Sequence, residues 1–161
     1  MLWLYEAAEF NLDLKRGNNL ISIPITINSS EIEKIFSNQN ILLIKEYHGN
    51  SFLQSGTLQN NKGYFIECSN DVLISLSGKE KANIQTINLV QGMNLVGISS
   101  IKNISLNSLP SQVIEVSKRN DDGSYQVATK YFSVWFNEFV LEPGKGYWFK
   151  LNSDASWSYS P

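Results

Sequence analysis

Apolar and polar residues alternate with a period of two in many short runs of this chain. In Val72 to Ser77, for example, Val72, Ile74 and Leu76 share one face of a predicted strand, and Ser75 and Ser77 point to the other. The same pattern predicts strands at residues 20–25, 41–46, 64–67, 72–77, 84–89, 94–98, 113–117, 125–128, 146–151 and 156–159. Segments rich in Asn, Gly, Ser and Asp separate these runs. Short strands with such separators predict an all-β fold, either a β-barrel or a β-sandwich.

One segment predicts a short helix, at residues 31–36. Ser30 is placed to cap it, and Glu33 follows at the spacing of a capping box. Ile32 and Ile35 would then face the core. Residues 108–112 are a degenerate counterpart of this helix in the second part of the chain.

Two sequence signatures occur twice and in the same order. L-K-R-G-N-N-L-I-S-I-P at residues 14–24 returns as L-V-Q-G-M-N-L-V-G-I-S at residues 89–99, an offset of 75 from Gly17 to Gly92. K-G-Y-F-I at residues 62–66 returns as K-G-Y-W-F at residues 145–149, an offset of 83. Internal repeats of this kind indicate a duplicated unit. The sequence therefore predicts two pseudo-symmetric copies, residues 1–80 and 81–161, that pack closely and form one structural domain or two.

The copies differ most in the segment before the second signature. Ten residues separate Phe52 from Gly63, whereas twenty separate Tyr125 from Gly146. Connecting segments often carry function on a fixed scaffold, and the longer one is rich in aromatic residues. These are the candidate ligand-binding residues: Tyr131, Phe132, Trp135, Phe136 and Phe139.

Four tryptophans add to the aromatic inventory. Trp148 and Trp157 occupy the repeat positions of Phe65 and Ile74, so both are expected to fill the core. Trp135 lies in the longer segment and is the better candidate for an exposed contact residue, and Trp3 stands near the start. Exposed aromatic rings stack on sugars and are enriched in protein interfaces.

The repeated motifs resemble modules found in tandem, or at the ends, of large bacterial and archaeal surface or secreted proteins. Those modules read G-W-N-L-I/V-x-x-P and G-x-G-Y/F-W-V. This chain has Asn18 and Met93 where Trp is common, Ser99 where the first copy has Pro24, and Phe65 in place of the motif Trp. The resemblance implies an all-β, non-catalytic extracellular module and carries over no catalytic residue.

Composition excludes some partners. Charged residues make up 17% of the 161 residues, the net charge is −2, and no segment concentrates Lys and Arg, so nucleic acid is not an expected partner. No window approaches the roughly 20 apolar residues of a membrane-spanning helix, so membrane insertion is not expected. Met1 to Ala8 contains Glu6 and lacks a basic start, which is unlike a signal peptide. We interpret the chain as a fragment of an extracellular or cell-surface protein.

Few residues suit catalysis or metal binding. His48, in a predicted hairpin loop, is the sole imidazole, and Cys68 is the sole thiol. A glycosidase would need two facing carboxylates, and the sequence does not show which of these converge: Glu46, Glu67, Glu115, Glu138 and Glu142. Asn120 to Ser124 supplies oxygen ligands suited to calcium, but Asp122-Gly123 is also a hairpin-turn signal, and a plain turn is favoured. No catalytic residue, cofactor or metal is therefore predicted.

Together these observations predict a non-catalytic interaction module for adhesion, assembly or presentation, with a protein or a glycan as partner. The alternative is a carbohydrate-binding module that uses the aromatic residues of the segment 131–139.

Overall fold

The computed structural model describes residues 6–161, so Trp3 lies outside the described residues. Regular structure in the described part is mostly β, as predicted. The first half contains β1 (Ala7–Leu14), β2 (Gly17–Ile21), α1 (Ser29–Phe36), β3 (Ile41–His48), β4 (Ser51–Gln54), β5 (Tyr64–Cys68) and β6 (Val72–Lys79). The second contains β7 (Gln85–Leu89), β8 (Gly92–Gly97), β9 (Ile104–Ser105), a 3₁₀ helix (Leu106–Ser108), β10 (Val113–Arg119), β11 (Tyr125–Tyr131), β12 (Val134–Phe136), β13 (Val140–Leu141), β14 (Gly146–Leu151) and β15 (Ala155–Tyr159).

The strands form five antiparallel sheets within residues 6–161. The two larger sheets have the orders β2-β5-β3-β4 and β8-β14-β10-β11-β12, and the three smaller ones pair β1 with β6, β7 with β15, and β9 with β13. None of these sheets closes into a barrel, so the barrel alternative is wrong. Each half pairs its first strand with its last, β1 with β6 in the first half and β7 with β15 in the second. Each half also pairs its second strand with its second-to-last, β2 with β5 and β8 with β14.

Each half has its own buried apolar cluster. The first extends from Ala8 to Leu76 and includes Tyr64, Ile66 and Leu14. The second extends from Ile87 to Tyr159 and includes Trp157, which is buried as expected. The two clusters share no residue along the chain: the first ends at Leu76 and the second begins at Ile87.

The turn before β2 and the turn before β8 are built alike. Gly17 and Gly92 have φ values of 93° and 92°, a region that favours glycine because it has no Cβ. The Asn19 side chain donates to the Lys15 carbonyl at 2.7 Å, and the Asn94 side chain donates to the Val90 carbonyl at 2.8 Å. An Asx side chain thus closes each turn on the backbone four residues earlier.

Helix α1 is present, but its cap differs from the prediction. Asn28, not Ser30, is the N-cap, and its side chain accepts from the Glu31 N–H at 3.1 Å. Ile35 is fully buried. Glu31 accepts from the Ser77 N–H at 2.8 Å and so fastens the helix to β6. In place of a helix over residues 108–112, the 3₁₀ helix covers Leu106–Ser108 and overlaps the predicted counterpart only at Ser108.

Candidate functional site

The two halves meet where β2 and β5 approach β14 and β8. Isolated antiparallel bridges join Ile21 to Lys145 and Lys62 to Val96. A Cβ built on Gly63 would lie 2.8 Å from a side-chain carbon of Leu95, and a Cβ built on Gly146 would lie 2.8 Å from a side-chain carbon of Leu20. Each half therefore uses the glycine of its second signature to admit a leucine of the other half.

Ser22 and Gly97 come closest of all at this junction. The Ser22 hydroxyl donates to the Lys145 carbonyl at 2.7 Å, and its N–H donates to the Gly144 carbonyl at 3.0 Å. A Cβ on Gly97 would overlap the Ser22 Cβ and lie 2.8 Å from the Lys62 carbonyl. The junction is thus tight, with no room for a second side chain at this point.

Above this junction the outer faces of the two large sheets form a cleft of about 400 Å³, which we name the aromatic cleft. Its lining residues are Asn18, Lys45, Phe52, Phe65, Arg119, Tyr125 and Trp148. Strand alternation places them on one side: Phe65 and Trp148 stand on the faces opposite the buried Ile66 and Phe149. Trp148 is only half-buried, so the expectation that it fills the core is wrong.

The rings of the aromatic cleft pack across the two halves. The centroids of Trp148 and Phe65 lie 6.4 Å apart with an interplanar angle of 43°. Tyr47 meets Trp148 edge-on, with centroids 4.8 Å apart and planes at 84°. Phe52, at the rim, is 48% exposed and Tyr125 is 42% exposed. The rings hold one another in place while parts of their surfaces remain in solvent.

The charged side chain of Arg119 lies against two rings of the aromatic cleft. Its guanidinium carbon lies 6.0 Å from the Phe65 centroid and 5.6 Å from the Tyr125 centroid, within cation–π range. It also donates to the Gly123 carbonyl at 3.2 Å. The guanidinium is therefore held in position by the turn between β10 and β11. Lys45, paired across the sheet with Phe65, is the second cation of the cleft.

A second cavity, of about 270 Å³, adjoins the first and shares Asn18 and Arg119 with it. We name it the basic groove. Its ionisable lining residues are Asp13, Lys15, Arg16, Arg119, Asp121 and Lys145. Lys15 bonds to Asp13 at 3.1 Å, and the pKa of Lys15 is raised chiefly by that hydrogen bond.

A third cavity, of about 470 Å³, lies on the other side of the junction and is lined by the corresponding segments of the opposite halves. We name it the counterpart groove. Its lining includes Tyr47, His48, Lys62, Val90 and Gln91. It carries one lysine and no carboxylate, so the two grooves differ in charge.

The five aromatic residues predicted from the longer segment do not form one surface. Tyr131, Phe132 and Phe136 are exposed, and Phe132 stands at the tip of the β11–β12 hairpin. Phe139 is half-buried and stacks on Tyr147 with an interplanar angle of 18°. Trp135 is 7% exposed, and its Nε1–H donates to the Leu106 carbonyl at 3.1 Å. The expectation that Trp135 is an exposed contact residue is therefore wrong.

The candidate groups His48, Cys68 and Asp122 do not line the aromatic cleft. His48 is exposed at the end of β3 beside the Gly49-Asn50 turn. Cys68 is buried, and burial raises the pKa of its thiol to about 11. Asp122 accepts from the N–H and hydroxyl of Ser124, which lowers its pKa. That carboxylate closes the turn between β10 and β11, as the turn prediction required.

Two kinds of feature, grouped metal-ligating side chains and long apolar helices, are absent from the described part of the chain. Within residues 6–161, no three His, Cys, Asp or Glu side chains are grouped so that they could hold a metal ion. In the same range, no helix is long and apolar enough to cross a bilayer.

Comparison with known proteins gives no relative to compare this cleft with. No family model, no curated protein and no solved structure matches the chain. Function must therefore be inferred from the chain's own residues.

Proposed function

We propose that the protein is a non-catalytic interaction module that binds its partner in the aromatic cleft. The observation that carries the proposal is the grouping of part-exposed rings from both halves, Phe52, Phe65, Tyr125 and Trp148, around a cavity of about 400 Å³. This volume falls within the range of about 300–1,000 Å³ typical of ligand pockets. Aromatic and arginine side chains also dominate binding hot spots.

The proposal includes a sandwich-like scaffold of two pseudo-symmetric copies, residues 1–80 and 81–161. Matching contacts support it. The Arg16 N–H donates to Asp71 and the Gln91 N–H donates to Asp154, both at 2.8 Å. The hydroxyl groups of Tyr64 and Tyr147 each accept a backbone N–H from the residue five positions earlier, at 2.8 and 2.7 Å. Two halves built alike create a cleft at their junction without a separate binding domain.

A non-catalytic role at a cell surface is part of the same proposal. Burial raises the pKa of the Cys68 thiol to about 11, which disfavours the thiolate needed for nucleophilic catalysis. The resemblance of the repeated motifs to surface and secreted modules supports the extracellular location. Adhesion, assembly or presentation of a larger protein are the roles such a module would serve.

The alternative, a carbohydrate-binding module, is favoured by the chemistry of the aromatic cleft and not by the segment 131–139. Pyranose rings offer an apolar face for stacking, and polar groups beside the rings can bond to hydroxyl groups. Asn18, Lys45 and Arg119 are such groups in this cleft. In contrast, the exposed rings at the β11–β12 hairpin have no exposed tryptophan beside them, because the Trp135 side chain is buried.

The test compares ligand capture by wild type, Phe52→Ala and Tyr125→Ala on a glycan array and in pull-downs. Both rings are nearly half exposed, so their removal should leave the fold intact. Because Phe52 also packs against Phe65 and Trp148, thermal unfolding of each variant verifies that the fold is kept. Tyr131→Ala is the matched control, because Tyr131 is 59% exposed but lies outside the cleft lining. The proposal requires that both cleft variants lose the partner and that the control keeps it. Full retention by both cleft variants would refute it.

Trp148 offers a direct optical readout. Within residues 6–161 the other tryptophans, Trp135 and Trp157, are buried, so ligand entering the cleft should change mainly the emission of Trp148. Trp148→Phe installs the residue that the first half has at this position, Phe65, and should remove the signal while preserving the packing. A ligand-dependent change that survives in Trp148→Phe would place binding elsewhere.

A further inference from the structure

We propose that the ligand of the aromatic cleft is an acidic glycan, a chain of pyranose rings that carries carboxylate or sulfate groups. The inference rests on the proposed function and adds the chemical class of the ligand. It comes from the charges around the rings and from the difference between the two grooves beside them.

The aromatic cleft is positively charged within a negatively charged protein. Its charged lining residues are the two cations Lys45 and Arg119, and the lining contains no carboxylate. The chain as a whole has a net charge of −2. Two ion pairs occur in the described part of the chain, Lys15–Asp13 and Lys34–Glu31. Neither pair includes Lys45 or Arg119. Besides the hydrogen bonds from Ser124, the charge of Arg119 helps to lower the pKa of Asp122, so an anionic ligand would compete with that carboxylate for the guanidinium.

The basic groove extends this charge in one direction. Arg119 lines both cavities, and Arg16 and Lys145 add two further cations. Asp13 is neutralised by Lys15, which leaves Asp121 as the opposing carboxylate. A ligand that stacked on the rings and extended into the basic groove would meet the cations Arg16, Arg119 and Lys145, and charge-assisted hydrogen bonds to them would be stronger than neutral ones.

The counterpart groove shows that the fold does not require Arg16 and Arg119 at these positions. Arg119 pairs with Tyr125 across β10 and β11 in the way that Tyr47 pairs with Phe52 across β3 and β4. Arg16 and Gln91 likewise hold equivalent positions in the two halves, because the backbone N–H of each donates to an aspartate side chain. The same scaffold thus tolerates neutral residues in place of Arg16 and Arg119, whereas Lys145 has a charged equivalent, Lys62, in the counterpart groove. We infer that the side with Arg16 and Arg119 holds the anionic part of the ligand.

The strand order favours a glycan over an extended peptide. A peptide that binds by β-augmentation needs an unpaired strand edge. The strands beneath the rings, β5 and β14, each have hydrogen-bonded neighbours on both sides. Asn18 and Phe52 come from the edge strands β2 and β4, whereas the rings of Phe65 and Trp148 stand over strands whose backbone is already paired on both sides. Apolar ring faces together with cations suit a sugar that has a flat face and an acidic substituent.

The experiment is a calorimetric titration of the wild-type chain with oligogalacturonate and with the same oligomer methyl-esterified, which removes the charge but keeps the rings. Dextran sulfate against dextran forms the second arm and separates sulfate from carboxylate recognition. The inference requires binding of at least one charged form, at least tenfold weaker binding of its neutral partner, and weakening by added NaCl. Equal binding of charged and neutral forms, or binding of neither charged form, would overturn it.

Variants locate the binding. Arg119→Gln and Lys145→Gln should each weaken binding of the charged glycan about tenfold or more. Lys62→Gln is the matched control, because Lys62 is the lysine of the counterpart groove, and it should leave affinity unchanged. If Arg119→Gln unfolds the protein, Lys145→Gln alone decides. Equal effects of Lys145→Gln and Lys62→Gln would contradict the inference.

Failure of this inference is separable from failure of the proposed function. If no acidic glycan binds but Phe52→Ala and Tyr125→Ala still lose another partner found on the array, the ligand class is wrong and the site stands. If both ring variants keep every partner, the site itself is wrong and so is the ligand class.

Discussion

Exchange of Ser22 and Gly97 tests whether the two halves meet as equivalents. In Gly97→Ser alone, the new Cβ would overlap the Ser22 Cβ and crowd the Lys62 carbonyl at 2.8 Å. Overpacking of this kind costs about 1–3 kcal/mol. Displacing Ser22 would also weaken its 2.7 Å hydrogen bond to Lys145, worth about 1 kcal/mol. We therefore expect Gly97→Ser to lower the free energy of unfolding by about 3 kcal/mol, with a Tm lower by about 6–12 °C.

The double variant Ser22→Gly/Gly97→Ser removes the overlapping Cβ and places a hydroxyl beside the Lys62 carbonyl instead. If the halves are equivalent, the introduced hydroxyl replaces the lost hydrogen bond, and the double variant recovers to within about 1 kcal/mol of wild type. Because Ser22→Gly alone loses its hydrogen bond at a cost of about 1 kcal/mol, this recovery is a coupling of about 3 kcal/mol between sites in contact. Urea denaturation of wild type, both single variants and the double variant measures this. Gly56→Ser is the control, because a Cβ there meets no atom within 4 Å. A double variant no more stable than Gly97→Ser would refute the equivalence.

Three further expectations concern other parts of the molecule. Tyr64→Phe and Tyr147→Phe each leave a loop N–H without its acceptor and should each cost about 1–3 kcal/mol in urea denaturation; no loss in either would show that the bonds are dispensable. The pKa of Cys68 is raised in the fold to about 11, so the folded state holds the thiol proton more tightly. That contribution to stability is full below the pKa of the unfolded thiol and is lost as pH rises towards 11. At about pH 8, near the ordinary thiol pKa, the thiol should react with a disulfide reagent only after unfolding. Rapid reaction of the native protein would contradict the burial of Cys68. Phe132→Ser, at a fully exposed hairpin tip, should change the free energy of unfolding by less than about 0.5 kcal/mol; a larger loss would mean that the ring packs against the fold.

Much of the fold follows from local sequence signals. All ten predicted strands overlap an observed strand, because alternation and the intervening glycine and asparagine turns specify short strands without reference to distant residues. The first, residues 20–25, shares only Leu20 and Ile21 with β2. Five further strands were missed, β1, β4, β9, β12 and β13. All of these except β1 have two to four residues, too few for alternation to register. β1 is long, but its alternation of apolar and polar residues begins with Ala8, whose small side chain gives only a weak apolar signal.

The longer connecting segment shows what sequence reasoning overlooked. It forms a hairpin in which Val134 and Phe136 face outward and Trp135 faces inward. Alternation within the strand was the signal available, since neighbours in a strand point to opposite faces. The partner of Trp135, the Leu106 carbonyl, comes from a distant turn, and its position was not readable from the chain.

The aromatic cleft was not predicted because its residues come from separate segments that only the fold brings together. Phe65 and Trp148 were recognised as equivalent positions, yet Tyr64-Phe65 and Tyr147-Trp148 are apolar on both strand faces. When both faces are apolar, alternation does not tell which one is buried. The structure decides this: the tyrosines are buried and the neighbouring rings line the cleft.

The most direct test of the central claim, that the aromatic cleft is the contact surface, is an ¹H–¹⁵N correlation spectrum recorded during titration with oligogalacturonate or with any partner the array identifies. We expect the largest shift changes at Phe65, Arg119 and the indole N–H of Trp148. Changes centred on Tyr131 and Phe132 at the β11–β12 hairpin, with the cleft signals unmoved, would contradict the claim.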